Sequence, residues 1–403
     1  ADAVREALGS DVEYAVQTEQ LGTGHAVRSA GHLLADHEGP LAVLPADTPL
    51  IRPESLAAIM QRCSQNGAAA TLLTARLDEP AAYGRVVRDD SGQVVRITEA
   101  KDAPPGILAI DEICTSIYAF NAGDLFPALE QLSPENRQKE YYLTDVVAIL
   151  AAQGRRVDAI VSDDYRECLG INTRVELAEA TAILRHRIVR AHMLAGVTMI
   201  DPAAVYIDVD VEIGADTVLY PGVIIEVRTR IGGDCEIGPN SRIVASDIGE
   251  GVRIDNSCVV ESTIGPNSSV GPYSRLRPGS RIGCDVRIGD FVEIKNSTVG
   301  DGVSLAHMTY IGDAEIGEGT NVGAGTITCN YDGKRKHRTT IGSGAFVGSH
   351  TTLNAPVTVG DGAFIGSGSV ITTDVPADAL GVARSQQVTR EGWAKRRREA
   401  PQE

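Results

Sequence analysis

The stretch Arg281–Gly300, RIGCDVRIGDFVEIKNSTVG, decides how the second half of this chain folds. Ile282-Gly283 and Ile288-Gly289 stand six residues apart, and Val299-Gly300 repeats the pair. The same aliphatic-Gly pair recurs at Ile213, Ile231, Ile237, Ile264, Val270, Ile311, Ile316, Val322, Ile341, Val347, Val359 and Ile365. The steps Ile213 to Ile231, Ile264 to Ile282 and Ile341 to Val359 are each eighteen residues; Ile231 to Ile237 and Val359 to Ile365 are six. This is the hexapeptide period of a parallel β-helix. Three hexads make one triangular coil, with the aliphatic residue inside and a small residue letting the chain turn beside it. Such hexads build the left-handed form, an exception to the right-handed crossover rule. A solenoid needs caps or partners at its edges, so an oligomer is expected.

The period falters in one place. Val299, Leu305 and Ile311 keep the six-residue step, with Leu305-Ala306 in place of Ile-Gly, and then Ile316 arrives one residue early. After Val322 the frame reads as lost until Ile341, because TITCNYDGKRKHRTT (Thr326–Thr340) inserts a loop. Insertions in solenoids gather on the binding face. His307 lies on the intact coil just before this break. An imidazole there suits a general base, and suits equally a surface or stacking histidine. Arg277 and Lys295 are eighteen residues apart and would stack on one face, a ready site for a phosphate. Glu293 is the carboxylate expected to orient the imidazole, unless it is a plain surface group. Lys334–Arg338 reads as a polyphosphate partner or as a solvated loop tip.

Ahead of the repeats the text alternates. VEYAVQT, LAVLPAD, AAATLLTARL, ICTSIYAF and VDAIVSDD read as strands; AVRSAGHLLADH, ESLAAIMQRC and YLTDVVAILAAQG read as helices. Such alternation predicts a sheet with helices on its faces, a Rossmann-like α/β domain over residues 1–172. Residues 173–196 read as one connector helix, with Leu177, Leu184, Ile188, Ala191 and Ala195 on one face. Thr173 and Glu176 form its capping box and Gly196 its stop. The β-helix and a C-terminal tail fill 197–403. The Gly22-Thr23-Gly24 turn can present backbone N–H groups to a phosphate, or be a plain turn. Asp47 follows an apolar strand, where α/β sheets bind ligands, and could hold Mg²⁺ or cap a helix. Asn172 could be a turn residue.

Of 403 residues, 43% are hydrophobic and 23% charged, which marks a globular chain. A net charge of -17 argues against nucleic acid as a partner. Seven cysteines without a CxxC pair read as reduced thiols in a cytoplasmic protein. No run approaches the ~20 apolar residues that span a bilayer. The chain opens on ADAVREAL, a helix already under way, so a segment is expected to be missing before it.

QTEQLGTGHA, YGRVV, ITEAKDA, EYYLTD, GINTRVELA, RLRPG, FVEIKNSTVG, AHMTYIGDAEIG, NVGAGTITCNYDG, FVGS, APVTVGDGA and EGW together resemble one bacterial family. It is the bifunctional N-acetylglucosamine-1-phosphate uridyltransferase / glucosamine-1-phosphate N-acetyltransferase family, and the resemblance runs from about residue 12 to the end. It implies that the β-helix transfers acetyl from acetyl-CoA to glucosamine-1-phosphate. The first domain would then join the product to UTP, giving UDP-N-acetylglucosamine and pyrophosphate, with Mg²⁺ as cofactor. It implies a homotrimer with acetyl-transfer sites between subunits. By the resemblance, His307 is the base, Arg277 and Lys295 bind the sugar phosphate, and Tyr310 and Asn321 contact the sugar. Ala324, Asn330, Tyr331, Ser349, Ser367 and Arg384 fall where acetyl-CoA is bound. Gln17, Gly22 and Thr23 match uridine-nucleotide contacts, and Gly84 and Glu99 contacts to the sugar phosphate. Asp47 and Asn172 match Mg²⁺ ligands.

Three departures stand against the family pattern. Its Gly-rich, Arg-containing nucleotide loop has no counterpart here, so impaired uridyl transfer is expected. Cys114, in CTS, replaces a sugar-binding amide where the family has Asn-Thr/Ser-Gly. Ala46 replaces a glycine before Asp47. Competing readings are a zinc enzyme of the carbonic anhydrase type built on His307, His337 and His350, a non-catalytic trimeric scaffold, and a pyrophosphorylase with a purely structural β-helix.

Overall fold

A computed structural model describes residues 2–399. The chain divides into two compact units, Ala1–Leu184 and Arg185–Glu403, with the boundary inside the helix Arg174–Leu194.

The first unit is built on strands β1 (Pro40–Val43), β2 (Ala70–Arg76), β3 (Arg85–Arg88), β4 (Val94–Thr98), β5 (Glu112–Asn121) and β6 (Val157–Val161). They form one mixed sheet in the order β4-β3-β5-β2-β6, with β1 on β5. β2 pairs parallel with β6 and antiparallel with β5. The apolar runs form β1, β2, β5 and β6 as expected. VEYAVQT does not: residues 12–18 carry no strand, and Val12 and Val16 are exposed. The run joins no strand of the sheet. The two strands missed, β3 and β4, are a short antiparallel pair rich in arginine. AVRSAGHLLADH becomes a short helix Thr23–Ser29 and a 3₁₀ turn Gly31–Leu33. Helix Pro53–Gln65 starts at Arg52, whose backbone N–H and guanidinium both donate to the fully buried Glu167.

The capping box forms as read. Glu176 accepts from the backbone N–H groups of Asn172 and Thr173, each at 2.7 Å, and Thr173 Oγ1 accepts from Glu176 N–H. The predicted apolar face of that helix is only partly used: Leu177 and Leu184 are exposed, while Ala180 and Val189 are buried.

The second unit is the left-handed β-helix of hexapeptide repeats. Its described residues form three parallel sheets of eleven, ten and nine short strands, one sheet per face. The column Ile231, Ile248, Ile264, Ile282, Val299, Ile316, Ile341, Val359 pairs rung on rung along one face. The aliphatic residues make one continuous interior. Buried serines and threonines beside them bond backbone groups of the next coil, as Ser268 Oγ does to the Gly283 carbonyl at 2.9 Å.

The frame survives further into the break than the sequence implies. Thr328 is 1% exposed and takes the interior position six residues after Val322, on strand Ile327–Cys329. Its hydroxyl accepts from Gly312 N–H at 2.8 Å and can donate to the Gly312 carbonyl at 3.2 Å. A threonine could fill an aliphatic position because the hydroxyl replaces a missing ladder bond. The insert proper therefore begins at Asn330.

Candidate active sites

Four register pairs set the geometry of the β-helix site: Ile288↔Leu305, Leu305↔Val322, Val322↔Val347 and Val347↔Ile365. Two residues past each of these stand Asp290, His307, Ala324, Ser349 and Ser367, so all five lie in one column at one corner of the coil. Arg384 reaches this column, its Nη1 donating to the Ser367 carbonyl at 2.9 Å. Asn321 opens the strand on the same face, stacked on Ser304.

Asp290 lies directly across from His307, seventeen residues earlier, and its Oδ1 is 2.5 Å from His307 Nδ1. The bond from His307 holds the Asp290 carboxyl below the usual carboxylate range. Asp290, not Glu293, is therefore the partner of the imidazole. Glu293 is committed elsewhere, its Oε1 accepting from Arg277 Nη1 at 2.9 Å. The coil that carries Asp290 is one residue shorter than eighteen, so a search at the regular spacing passes it by.

The next face carries the cations. Leu276 pairs with Ile294, which places Arg277 and Lys295 on adjacent rungs as the spacing implied. The Lys336 ammonium of the insert, and secondly burial, hold Lys295 below the usual lysine value. Two ammonium groups and a guanidinium crowded together are a site waiting for an anion. Asp313 anchors the insert to this face. Burial works to raise its pKa, but bonds from Asn296 Nδ2 (2.6 Å) and Asn330 Nδ2 (2.5 Å) outweigh it and hold the carboxyl low. Tyr310 pairs with Glu293, and its ring folds over Gly312, where an added Cβ would come 2.4 Å from Tyr310 Oη. Tyr331 bridges to Lys336 at the neck of the insert.

The three histidines of the zinc reading do not converge. His337 Nε2 is bound to Asp332 Oδ2 at 2.7 Å, His307 to Asp290, and the His350 ring packs on Gly325. Among the described residues no group of three or more His, Cys, Asp or Glu could hold a metal ion.

In the first unit a cavity of ≈ 450 Å³ is lined by Thr23, Glu99, Ser116, Tyr118 and Thr144, among others. Burial raises Glu99, and Thr144 Oγ1 donates to it at 3.1 Å. Gly84 faces Glu99, where an added Cβ would meet its carboxylate at 3.6 Å. Gly22 has φ 112°, and a Cβ there would come 2.6 Å from the Tyr141 carbonyl, so only glycine fits. The turn offers a phosphate less than expected, since Gly24 N–H already donates to Tyr141 O at 2.8 Å. Gln17 Nε2 bonds the Gly22 carbonyl at 3.2 Å and meets His25 Nδ1 at 2.9 Å. Cys114 stands behind the cavity wall, buried, its Sγ 3.1 Å from Tyr118 Oη and its thiol pushed up to about 11 by burial. Ser116 takes the glycine position of the family pattern at φ 61° and lines the cavity itself. Ala46 is exposed on the loop before Asp47.

Asp47 and Asn172 border the same glycine. A Cβ built on Gly170 would lie 3.2 Å from Asp47 Oδ2 and 4.0 Å from Asn172 Nδ2, so both side chains border one small cradle that glycine keeps open. A carboxylate and an amide are the hard donors that suit Mg²⁺ when substrate phosphates complete the shell.

Residues 3–176 match the family model Nucleotidyl transferase, and 338–373 match Bacterial transferase hexapeptide (six repeats). "Bifunctional protein GlmU" of Heliobacterium modesticaldum is 50% identical over 401 residues, 100% of this chain and 88% of that protein. The proteins of the same name from a Geobacillus species and from Clostridioides difficile are 50% and 46% identical, each over 98% of this chain and 86% of their own. The expected impairment of uridyl transfer draws no support from these matches. Half of all positions are shared from end to end, and each unit carries the family model its geometry calls for: the chain belongs to the bifunctional GlmU family.

Proposed function

We propose that the two units carry out consecutive reactions, acetyl transfer on the β-helix and uridyl transfer in the α/β unit. The chain is an enzyme of both kinds. The observation that carries the residue assignment is the single column His307–Ala324–Ser349–Ser367, closed by Arg384, beside the Arg277, Lys295 and Lys336 cations. Rungs of a parallel sheet repeat every ~4.8 Å, so Ser367 lies about 14 Å along the column from His307. That length suits the extended arm of acetyl-CoA, its thioester at His307 and its nucleotide end toward Arg384. The phosphate of glucosamine-1-phosphate sits on the cations, and Tyr310 and Asn321 hold the sugar. Asn330 and Tyr331 also contact acetyl-CoA.

The sugar amine attacks the thioester carbon as its proton passes to His307 Nε2. The C–S bond breaks, and CoA leaves as a thiolate that takes up a proton. Positioning and general-base help suffice, because a free amine is a competent nucleophile.

In the first unit Gln17, Gly22 and Thr23 hold the uridine nucleotide, and Gly84 and Glu99 hold N-acetylglucosamine-1-phosphate. A sugar phosphate oxygen displaces pyrophosphate from the α-phosphorus of UTP. Asp47 and Asn172 would hold Mg²⁺, which when bound neutralises phosphate charge. We assign 1–172 to uridyl transfer, 173–196 to the connector and 197–403 to acetyl transfer. The protein works as a cytoplasmic homotrimer; the exposed aromatics Tyr273 and Phe291 at one corner of the solenoid support self-association. No helix among the described residues is long and apolar enough to cross a membrane.

The test follows thiol release from acetyl-CoA with glucosamine-1-phosphate, then pyrophosphate after UTP and Mg²⁺. His307→Ala should lower acetyl transfer ~10²–10⁴-fold and leave pyrophosphate release from supplied N-acetylglucosamine-1-phosphate unchanged. Full acetylation by that variant sinks the assignment of the base.

A further inference from the structure

We propose that Asp290 is a positioning residue for acetyl transfer, fixing the His307 imidazole in the tautomer that leaves Nε2 free to accept the amine proton. The inference rests on the acetyltransferase reading of this site.

The geometry comes from the coil itself. Asp290 and His307 end paired strands, Arg287–Asp290 and Ser304–His307, and the Asp290 carbonyl accepts from Met308 N–H at 2.9 Å. One residue before Asp290 the two coils come as close as the backbone permits, since a Cβ on Gly289 would lie 1.8 Å from the Ala306 carbonyl oxygen. Side chains on this corner are thus held in one register, and the Asp290 carboxylate is brought to 2.5 Å from Nδ1 without reaching. A carboxylate only accepts, so the proton on that bond belongs to Nδ1 and the lone pair faces outward on Nε2. The bond from His307 holds the Asp290 carboxyl low, which keeps it an acceptor.

Among the described residues, the bond between them is the only side-chain hydrogen bond that either group makes. Arg287, on the same strand, is the other charge acting on Asp290. The flanking strands Ser269–Val270 and Asn321–Val322 bear no titratable side chain, and Glu293 is held by Arg277. The pair therefore acts as a dyad, the carboxylate orienting and the imidazole reacting.

The experiment uses the full chain. Asp290→Ala should lower kcat for acetyl transfer about 10–100-fold, a share of the ~10²–10⁴ a positioned base contributes, with both KM values within about twofold. Asp290→Glu, which restores a carboxylate, should recover part of the loss. In ¹⁵N-histidine spectra, His307 should carry its proton on Nδ1 in the wild type and shift toward Nε2–H in Asp290→Ala. A merely structural role would not produce that change at constant fold. Should Asp290→Ala fail to fold, Asp290→Ser keeps a polar corner residue and faces the same two measurements. Wild-type kcat in a folded variant, or an unchanged tautomer, overturns the proposal. A wild-type chain that transfers no acetyl group overturns the acetyltransferase reading instead, and the spectra still judge the dyad.

Discussion

Replacing Thr328 by valine sets two effects of the same chain position against each other. Valine has the shape of threonine and belongs at an interior hexad position, and exchanging hydroxyl for methyl there favours folding by about 0.8 kcal/mol. The hydroxyl, however, is the acceptor for Gly312 N–H at 2.8 Å, at a site 1% exposed. Losing it strands a buried donor, at a cost of about 1–3 kcal/mol. The second term is the larger, and Thr328→Val should be destabilising by a net of about 0.2–2.2 kcal/mol, centred near 1, although it makes the core more apolar. For a unit of this size a net near 1 kcal/mol is a fall in Tm of about 2–4 °C. Calorimetry of the full chain at fixed protein concentration measures it, and amide exchange at Gly312 should quicken in the variant. A Tm at or above that of the wild type would refute the idea that a side chain carries the frame across the break.

Gly312→Ala puts a methyl 2.4 Å from Tyr310 Oη and 2.7 Å from Asn330 Nδ2, so one of them must move. We expect KM for glucosamine-1-phosphate to rise about tenfold, near 1.4 kcal/mol, with kcat changed less than about threefold; an unchanged KM would remove Tyr310 from the sugar site. Glu167 is a pH-dependent strut. Burial pushes its pKa up, but bonds from Arg52, Ser162 and Ser55 hold it below the usual glutamate value. Its contribution is therefore complete above the unfolded value of about 4.3 and fades as pH falls through the folded one. Glu167→Gln should cost about 1.5–3 kcal/mol at neutral pH, the range of hydrogen bonds to a charged group, since Arg52 is partly exposed, and should flatten the loss of stability below pH ~4.3; an acid-unfolding curve parallel to that of the wild type would contradict this.

What the sequence discloses depends on how directly spacing becomes geometry. In the β-helix one coil is one period, so Arg277 and Lys295 could be stacked by counting. The same counting missed Asp290, because most coils outside the insert run sixteen to eighteen residues and the pair spans one of seventeen. Counting read Lys334–Arg338 as a polyphosphate partner but could not place Lys336 beside Lys295, because a loop delivers it rather than a rung. It misjudged Thr328, because a polar residue in an aliphatic slot looks like a broken frame until its hydrogen bond is seen. In the α/β unit, the cradle of Asp47, Gly170 and Asn172 joins residues more than a hundred positions apart; the strand end pointed to Asp47, but only the resemblance joined Asn172 to it. Local propensity misled at VEYAVQT because strand formation needs a partner edge that propensity does not supply.

The rung spacing of the solenoid has a consequence for what such a site can become. Groups on successive coils are set by backbone hydrogen bonds at ~4.8 Å, like marks on a ruler, and no side-chain change can alter that pitch. Distances along the column from His307 to Ser367 are therefore quantised. A longer or shorter acyl donor cannot be met by sliding a contact a fraction of an ångström. It must be met by moving the contact to another mark, or by a loop such as Asn330–Arg338 that hangs off the scale and is free to lie between its divisions.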